Sequence, residues 1–233
     1  LVGPEPKSPI RDLEPEFLVL HERCKPFSMV SAERMYGVYS AVRHITANRV
    51  PGAVVECGVW RGGCMMLAAL ALQEEAEERQ LFLFDTFAGM TEPSERDTGP
   101  GGLKAISMWR NHRQTNGGNW LAVPLNEVKV NLSQTNYPES LLTFVQGDVL
   151  RTIPEEAPEE IALLRLDTDW YESTKHELEH LYPRLAPGGV LIVDDYGQWS
   201  GAKDAVDEYL STLDSPPFLM RTDYTGRMGV KLG

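Results

Sequence analysis

Apolar residues in this chain fall into short blocks, and the spacing within each block sets the element it predicts. Over 12–24 and 31–48 the period is helical. Behind Ser31, a residue suited to an N-cap, Tyr36, Val38, Tyr39, Val42 and Ile45 recur at three- and four-residue intervals. After Pro51-Gly52 the pattern changes to short apolar runs at 53–57, 81–84, 142–145, 161–166 and 190–193, each predicting a strand. Helices are expected over 63–79, about 171–186 and about 201–212, and two short strands at 218–221 and 227–231 close the chain. Apolar runs without polar alternation, separated by helices, indicate a mostly parallel sheet covered on both faces. The fold class is therefore a doubly wound, Rossmann-like α/β sheet with an N-terminal helical extension. Residues 1–50 are expected to form an arm and helical lid and 51–233 the main domain. The glycine-rich polar stretch 88–120 interrupts the rhythm and is too long for an ordinary connection, so it is expected to be a lid or binding loop.

Composition narrows the partners. With 233 residues, 42% of them hydrophobic, the chain can bury roughly 70% of its unfolded surface. Its 34 acidic against 22 basic residues give a formal charge of -12, which disfavours nucleic acid and anionic membranes as partners. No apolar run approaches the ~18 residues that span a bilayer, and no signal segment opens the chain. Cys24, Cys57 and Cys64 read as reduced core thiols, so a soluble cytoplasmic protein is expected. The first residue is Leu1, so a stretch before it is expected to be missing.

Ligands of open α/β sheets collect at the carboxyl ends of the strands. The first strand ends in Glu56-Cys57-Gly58-Val59-Trp60-Arg61-Gly62-Gly63, where glycines allow a ligand close to the backbone; a tight strand-to-helix connection is the plainer reading. The second ends at Asp85, placed to accept ribose hydroxyls, and the third at Gln146-Gly147-Asp148, able to face an exocyclic amine. Three acids in register on adjacent strands point to a nucleoside pocket. The fourth and fifth strands end in Asp167-Thr168-Asp169 and Asp194-Asp195. Four carboxylates on one rim repel one another, and a hard divalent cation such as Mg²⁺ resolves the repulsion. The competing view makes Asp169 and Asp195 helix caps. His176-Glu177-Leu178-Glu179-His180 matches the HExxH zinc pattern, but its apolar neighbours put both histidines on the outer face of a helix, so a zinc peptidase is rejected.

The segments FSMVSAERMYGVY, VVECGVWRGG, LFLFDTFAGM, RLDTDWYEST and LAPGGVLIVDDY together resemble the TylF-type, or macrocin, O-methyltransferases. The resemblance implies an S-adenosyl-L-methionine- and Mg²⁺-dependent enzyme that methylates a sugar hydroxyl of a glycosylated antibiotic precursor. The narrower expectation is the 4-hydroxyl of a noviose-type deoxysugar in aminocoumarin biosynthesis. It also implies a seven-stranded sheet with the last strand antiparallel, and a homodimer. Met29, Ser31, Glu56, Gly58, Asp85, Gln146 and Asp148 would bind the cofactor, and Asp167, Asp194 and Asp195 the metal. Asp169 would be the general base, with His112 the alternative. A catechol-type methyltransferase stays open as a rival. A metal-dependent hydrolase is weaker still, since neither a GxSxG elbow nor a GxxxxGK loop is present.

Overall fold

A computed structural model describes residues 12–115 and 120–233. Two helices, α1 (Pro15–Cys24) and α2 (Ala32–Ala47), precede strand β1 (Ala53–Cys57), helix α3 (Gly63–Glu74) and strand β2 (Leu81–Asp85). Next come the short strands β3 (Thr98–Gly99) and β4 (Leu103–Lys104), helices α4 (Ala105–Thr115) and α5 (Leu125–Ser133), and strand β5 (Leu142–Gln146). The remainder runs α6 (Val149–Thr152), β6 (Ile161–Leu166), α7 (Tyr171–Leu181), β7 (Leu185–Val193), α8 (Ser200–Leu210), β8 (Met220–Arg221) and β9 (Arg227–Val230). The main sheet has seven strands in the order β5-β2-β1-β6-β7-β9-β8. All pairs from β5 to β7 are parallel, while β9 runs antiparallel to both β7 and β8. Strand order reverses beside β1, which opens the crevice where such sheets bind ligands.

The two-residue period of the strands builds a core on each face. Val54, Leu81, Leu83 and Ile192 pack against α1, α2, α3 and α5, whereas Val55, Cys57, Leu164 and Val193 pack against α6, α7 and α8. Helix α3 is apolar all round and buried from Gly63 to Leu72, because α2 and α5 cover what the sheet does not. Phe17, Leu20, Met35 and Ile45 share that cluster, so the two N-terminal helices contribute to the same core as the sheet. A fully buried side chain of this kind stabilises the fold by roughly 2 kcal/mol.

Several boundaries differ from those expected. Helix α3 stops at Glu74 because the acidic run beyond it buries nothing, and α7 stops at Leu181, ahead of a short 3₁₀ turn at Tyr182–Arg184 that carries Pro183. Strand β7 begins at Leu185, not 190, and β8 is only Met220–Arg221. Helix α5, in a stretch the pattern left unassigned, closes the outer side of α3 with Val128 and Leu132.

The 88–120 stretch is not a bare loop. Its described part folds into the β3–β4 hairpin and α4 and is bolted to α7 and α8. Asp97, buried, accepts the Tyr171 N–H at 2.8 Å and so caps α7 from outside the helix. Trp170 Nε1 donates to the Thr91 carbonyl at 3.1 Å, and Thr98 Oγ1 lies 2.7 Å from Ser200 Oγ. Residues 116–119 of this stretch lie outside the described residues, as does the proline-rich start of the chain.

Candidate active site

One pocket lies along the carboxyl ends of β1, β2, β5, β6 and β7. At its first end the glycine turn after β1 is held by Asp85, whose Oδ2 accepts the N–H groups of Val59 at 2.7 Å and Trp60 at 3.0 Å. Asp85 Oδ1 accepts Phe87 N at 2.8 Å. Asp148, the N-cap of α6, likewise accepts Leu150 N at 3.0 Å. Both line the pocket, so each combines a ligand-facing position with a bracing role that strand-tip reasoning missed.

The far wall at this end comes from the link between α1 and α2. A Cβ on Gly63 would lie 2.6 Å from the Phe27 carbonyl carbon and 2.7 Å from Ser28 Cβ, so only glycine lets that link settle over the start of α3. Ser28 and Met29 thereby line the pocket, Met29 at its rim with 55% exposure. Ser31 does not: it is the N-cap of α2, accepting Arg34 N at 3.2 Å and donating to Asp223 Oδ2 at 2.7 Å. Gln146 also falls outside the lining and is exposed, at the end of the edge strand β5. Ser28, next to the expected Met29, is the residue that replaces Ser31 there.

At the second end the carboxylates crowd. Gly58, at φ +84°, brings the tips of β1 and β6 together; a Cβ there would lie 2.0 Å from the Asp167 carbonyl oxygen. One oxygen each from Asp167, Asp194 and Asp195 fall within 4.8 Å of one another. The cluster is partly neutralised. Arg165, buried within β6, donates to Glu56 Oε1 at 2.7 Å and Asp194 Oδ1 at 2.6 Å, and pairs with Asp167 Oδ2 at 2.8 Å. Arg34, buried on α2, pairs with Asp194 Oδ2 and, at 2.9 Å, with Asp223. Both arginines escaped the sequence reading. The signal for Arg165 was present, since Arg165 and Glu56 are register partners, opposite charges in two otherwise apolar strands.

Two guanidiniums do not balance the five carboxylates Glu56, Asp167, Asp169, Asp194 and Asp195. Burial, reinforced by Asp194, pushes Asp167 well above the ordinary carboxylate range, and burial with Asp169 beside it does the same to Asp195. Among the described residues, neither Asp195 Oδ2 nor Glu56 Oε2, both buried, has a hydrogen-bond partner. Burial also raises Glu56 to about 7. An all-oxygen set with surplus negative charge and an orphaned carboxylate oxygen fits a hard divalent cation.

Asp169 sits beside this cluster at φ +68°, its Oδ1 accepting Trp199 Nε1 at 2.8 Å. Burial, then the Asp167 charge, push its pKa to about 8. Neither Asp169 nor Asp195 caps a helix through its side chain; the N-caps of α7 and α8 are Trp170 and Trp199, which removes the capping alternative. His112 lies on α4, its ring stacked on Trp120 at 5.0 Å, and it does not line the pocket. The HExxH-like stretch also differs from expectation: His176 is half-buried with Nε2 3.0 Å from the Ile153 carbonyl, and Glu177 is fully buried.

This geometry can hold an elongated polar ligand against backbone-braced carboxylates and deliver one end of it to a cation-ready acidic cluster. The family model of the macrocin O-methyltransferases (TylF) matches residues 23–228. The chain belongs to that family. It is an O-methyltransferase, and its mostly parallel seven-stranded sheet with antiparallel last strands matches the methyltransferase fold. The demethyldecarbamoylnovobiocin O-methyltransferase of Streptomyces niveus is 33% identical to it over 200 residues, 85% of this chain and 73% of that protein. A second relative is the 8-demethyl-8-(2,3-dimethoxy-alpha-L-rhamnosyl)-tetracenomycin-C 4'-O-methyltransferase of Streptomyces olivaceus. It is 32% identical over 216 residues, 92% of this chain and 79% of that protein. Among solved structures, the O-methyltransferase NovP superposes with a TM-score of 0.75 at 31% identity, covering 89% of this chain and 83% of NovP. The family match removes the hydrolase alternative. No helix among the described residues is long and apolar enough to cross a membrane.

Proposed function

We propose that the enzyme transfers a methyl group from S-adenosyl-L-methionine to a sugar hydroxyl of a glycosylated small molecule, with Mg²⁺ at the Asp167, Asp194 and Asp195 cluster. The observation that carries this reading is one pocket with two unlike ends, backbone-braced carboxylates at the first and crowded, under-neutralised ones at the second. Two relatives at nearly equal identity are named for different glycoside-type acceptors, which supports the sugar-hydroxyl class and does not favour a noviose-type acceptor over a rhamnosyl one.

S-Adenosyl-L-methionine, when bound, supplies a methyl group on an electrophilic sulfonium, and Mg²⁺, when bound, lowers the pKa of an acceptor hydroxyl and fixes its orientation. Everything else falls to the chain. Asp85 and Asp148 are placed for the ribose and adenine portions, and Ser28 and Met29 cover that end. The orphaned Oε2 of Glu56 provides an acceptor for an ammonium group such as that of the methionine portion. Asp169 takes the proton of the acceptor hydroxyl, and Trp199 holds its Oδ1 so that the remaining oxygen meets the proton in a fixed direction. Arg34 and Arg165 hold Asp194 aligned within the cluster. In this reading the described part of 1–50 covers the cofactor end, 51–233 is the transferase domain, and the described part of the 88–120 insertion borders the acceptor end. A homodimer is part of the same reading.

The test is methyl transfer from labelled S-adenosyl-L-methionine to demethyldecarbamoylnovobiocin and to the rhamnosyl tetracenomycin precursor, each with Mg²⁺ and with a chelator. Labelled product that requires Mg²⁺ is expected. Equal turnover with the chelator would end the metal assignment, and a preference for a flat catechol over both glycosides would favour the catechol-type rival.

A further inference from the structure

We propose that Glu177, the second residue of the HExxH-like stretch, is a positioning residue that fixes the 167–169 turn and so sets where Asp167 and Asp169 present their carboxylates. The proposal rests on the metal and base assignments above. Glu177 lies on the buried face of α7 with 0% exposure, and it does not line the pocket. Its carboxylate accepts the Thr168 hydroxyl, at 2.9 Å to Oε1 and 3.1 Å to Oε2. Burial raises it to about 8. No arginine or lysine is paired with it among the described residues, so keeping an acid at this apolar site costs stability that a leucine would not.

What the carboxylate holds accounts for that cost. Thr168 stands between a metal ligand and the base, and Asp169 adopts a left-handed conformation rare for a residue with a side chain. Such conformations persist only where the surroundings fix them. The turn is tied at its start by Asp167 N to the Cys57 carbonyl at 2.8 Å. Its centre is tied by Trp170 N and Ser173 Oγ to the Thr168 carbonyl at 2.8 and 3.3 Å. Those bonds secure the backbone. Glu177 supplies the side-chain anchor from α7. Since Glu177 does not line the pocket, its structural effect on ligands passes through Thr168, and Glu177→Gln separates that effect from the loss of its charge.

The experiment measures Mn²⁺ binding by calorimetry to the full chain and to Glu177→Leu, Thr168→Val, the double variant and Glu177→Gln, with S-adenosylhomocysteine affinity as control. Loss of the anchor is expected to weaken Mn²⁺ about tenfold in each single variant. The double variant should be no weaker than either single one, because both remove the same bond. Glu177→Gln, which still accepts the Thr168 hydroxyl, should stay within about twofold of the parent. Affinity for S-adenosylhomocysteine should stay within about threefold throughout. Parent-like Mn²⁺ affinity in Glu177→Leu and Thr168→Val, or losses that multiply in the double variant, would overturn the proposal. If Glu177→Leu does not fold, Thr168→Val against Thr168→Ser decides: serine restoring the affinity supports the anchor, and equal behaviour refutes it. A parent protein that takes up no Mn²⁺, with Asp195→Asn no different, would instead overturn the metal assignment and this proposal with it.

Discussion

The two ends of the pocket gather carboxylates at strand tips and treat them in opposite ways. At the cofactor end Asp85 and Asp148 accept backbone N–H groups, so their oxygens brace the very turns that carry them. At the acidic end Asp167, Asp169 and Asp195 face one another, two guanidiniums serve more than two acids, and burial drives the pKa of these three upward. The lesson is that a carboxylate satisfied by amides makes a rigid wall, while one left with a like-charged neighbour keeps its demand for a cation or a proton. In the proposed reading, binding belongs to the first arrangement and chemistry to the second.

The largest expected effect breaks the acidic end alone. Asp169→Asn keeps an acceptor for the Trp199 indole but cannot take a proton, so kcat should fall about a hundredfold or more with cofactor affinity nearly unchanged. Steady-state kinetics check this, and near-normal kcat would move the base elsewhere, first to His112.

A smaller effect is expected at the cofactor end. Asp85→Ala strips the acceptor from three backbone N–H groups, so it should weaken S-adenosylhomocysteine about tenfold and also lower stability by roughly 1–3 kcal/mol. Calorimetry with urea unfolding separates the two. Weaker binding at full stability would mean the carboxylate serves the ligand only.

The smallest effect sharpens the boundary between wall and scaffold. Ser31→Ala should cost about 1 kcal/mol through the lost N-cap of α2, with cofactor affinity within about twofold. A tenfold loss of affinity would return Ser31 to the cofactor site.

How much of this was legible depended on what each residue's signal looks like along the chain. Strand tips are visible because an apolar run ends abruptly in an acid, which is why Glu56, Asp85, Asp148 and the four aspartates at 167–195 were found and all line the pocket. The antiparallel finish was legible from the short C-terminal runs together with the family resemblance. Arg34 and Arg165 were not found, because a charge inside a helix or an apolar strand becomes meaningful only once its partners, 160 and 109 residues away, are in place. Ser31 and Gln146 were expected in the site from the family resemblance and do not line the pocket; the Ser31 hydroxyl is turned to its own helix as a cap, and Gln146 is exposed at the end of an edge strand. The fold of the 88–120 stretch was hidden because its hold comes from Asp97, Thr91 and Thr98 bonding to other elements, not from a period of its own.

In the proposed reading the cofactor end is complete without the metal. Isothermal titration with S-adenosylhomocysteine, first with Mg²⁺ and then with a chelator, tests it directly. The expected result is binding at micromolar strength or tighter, with nearly the same affinity in both conditions. Binding that vanishes with the chelator would contradict the separation of the two ends, and no binding in either condition would contradict the assignment of the pocket to this cofactor.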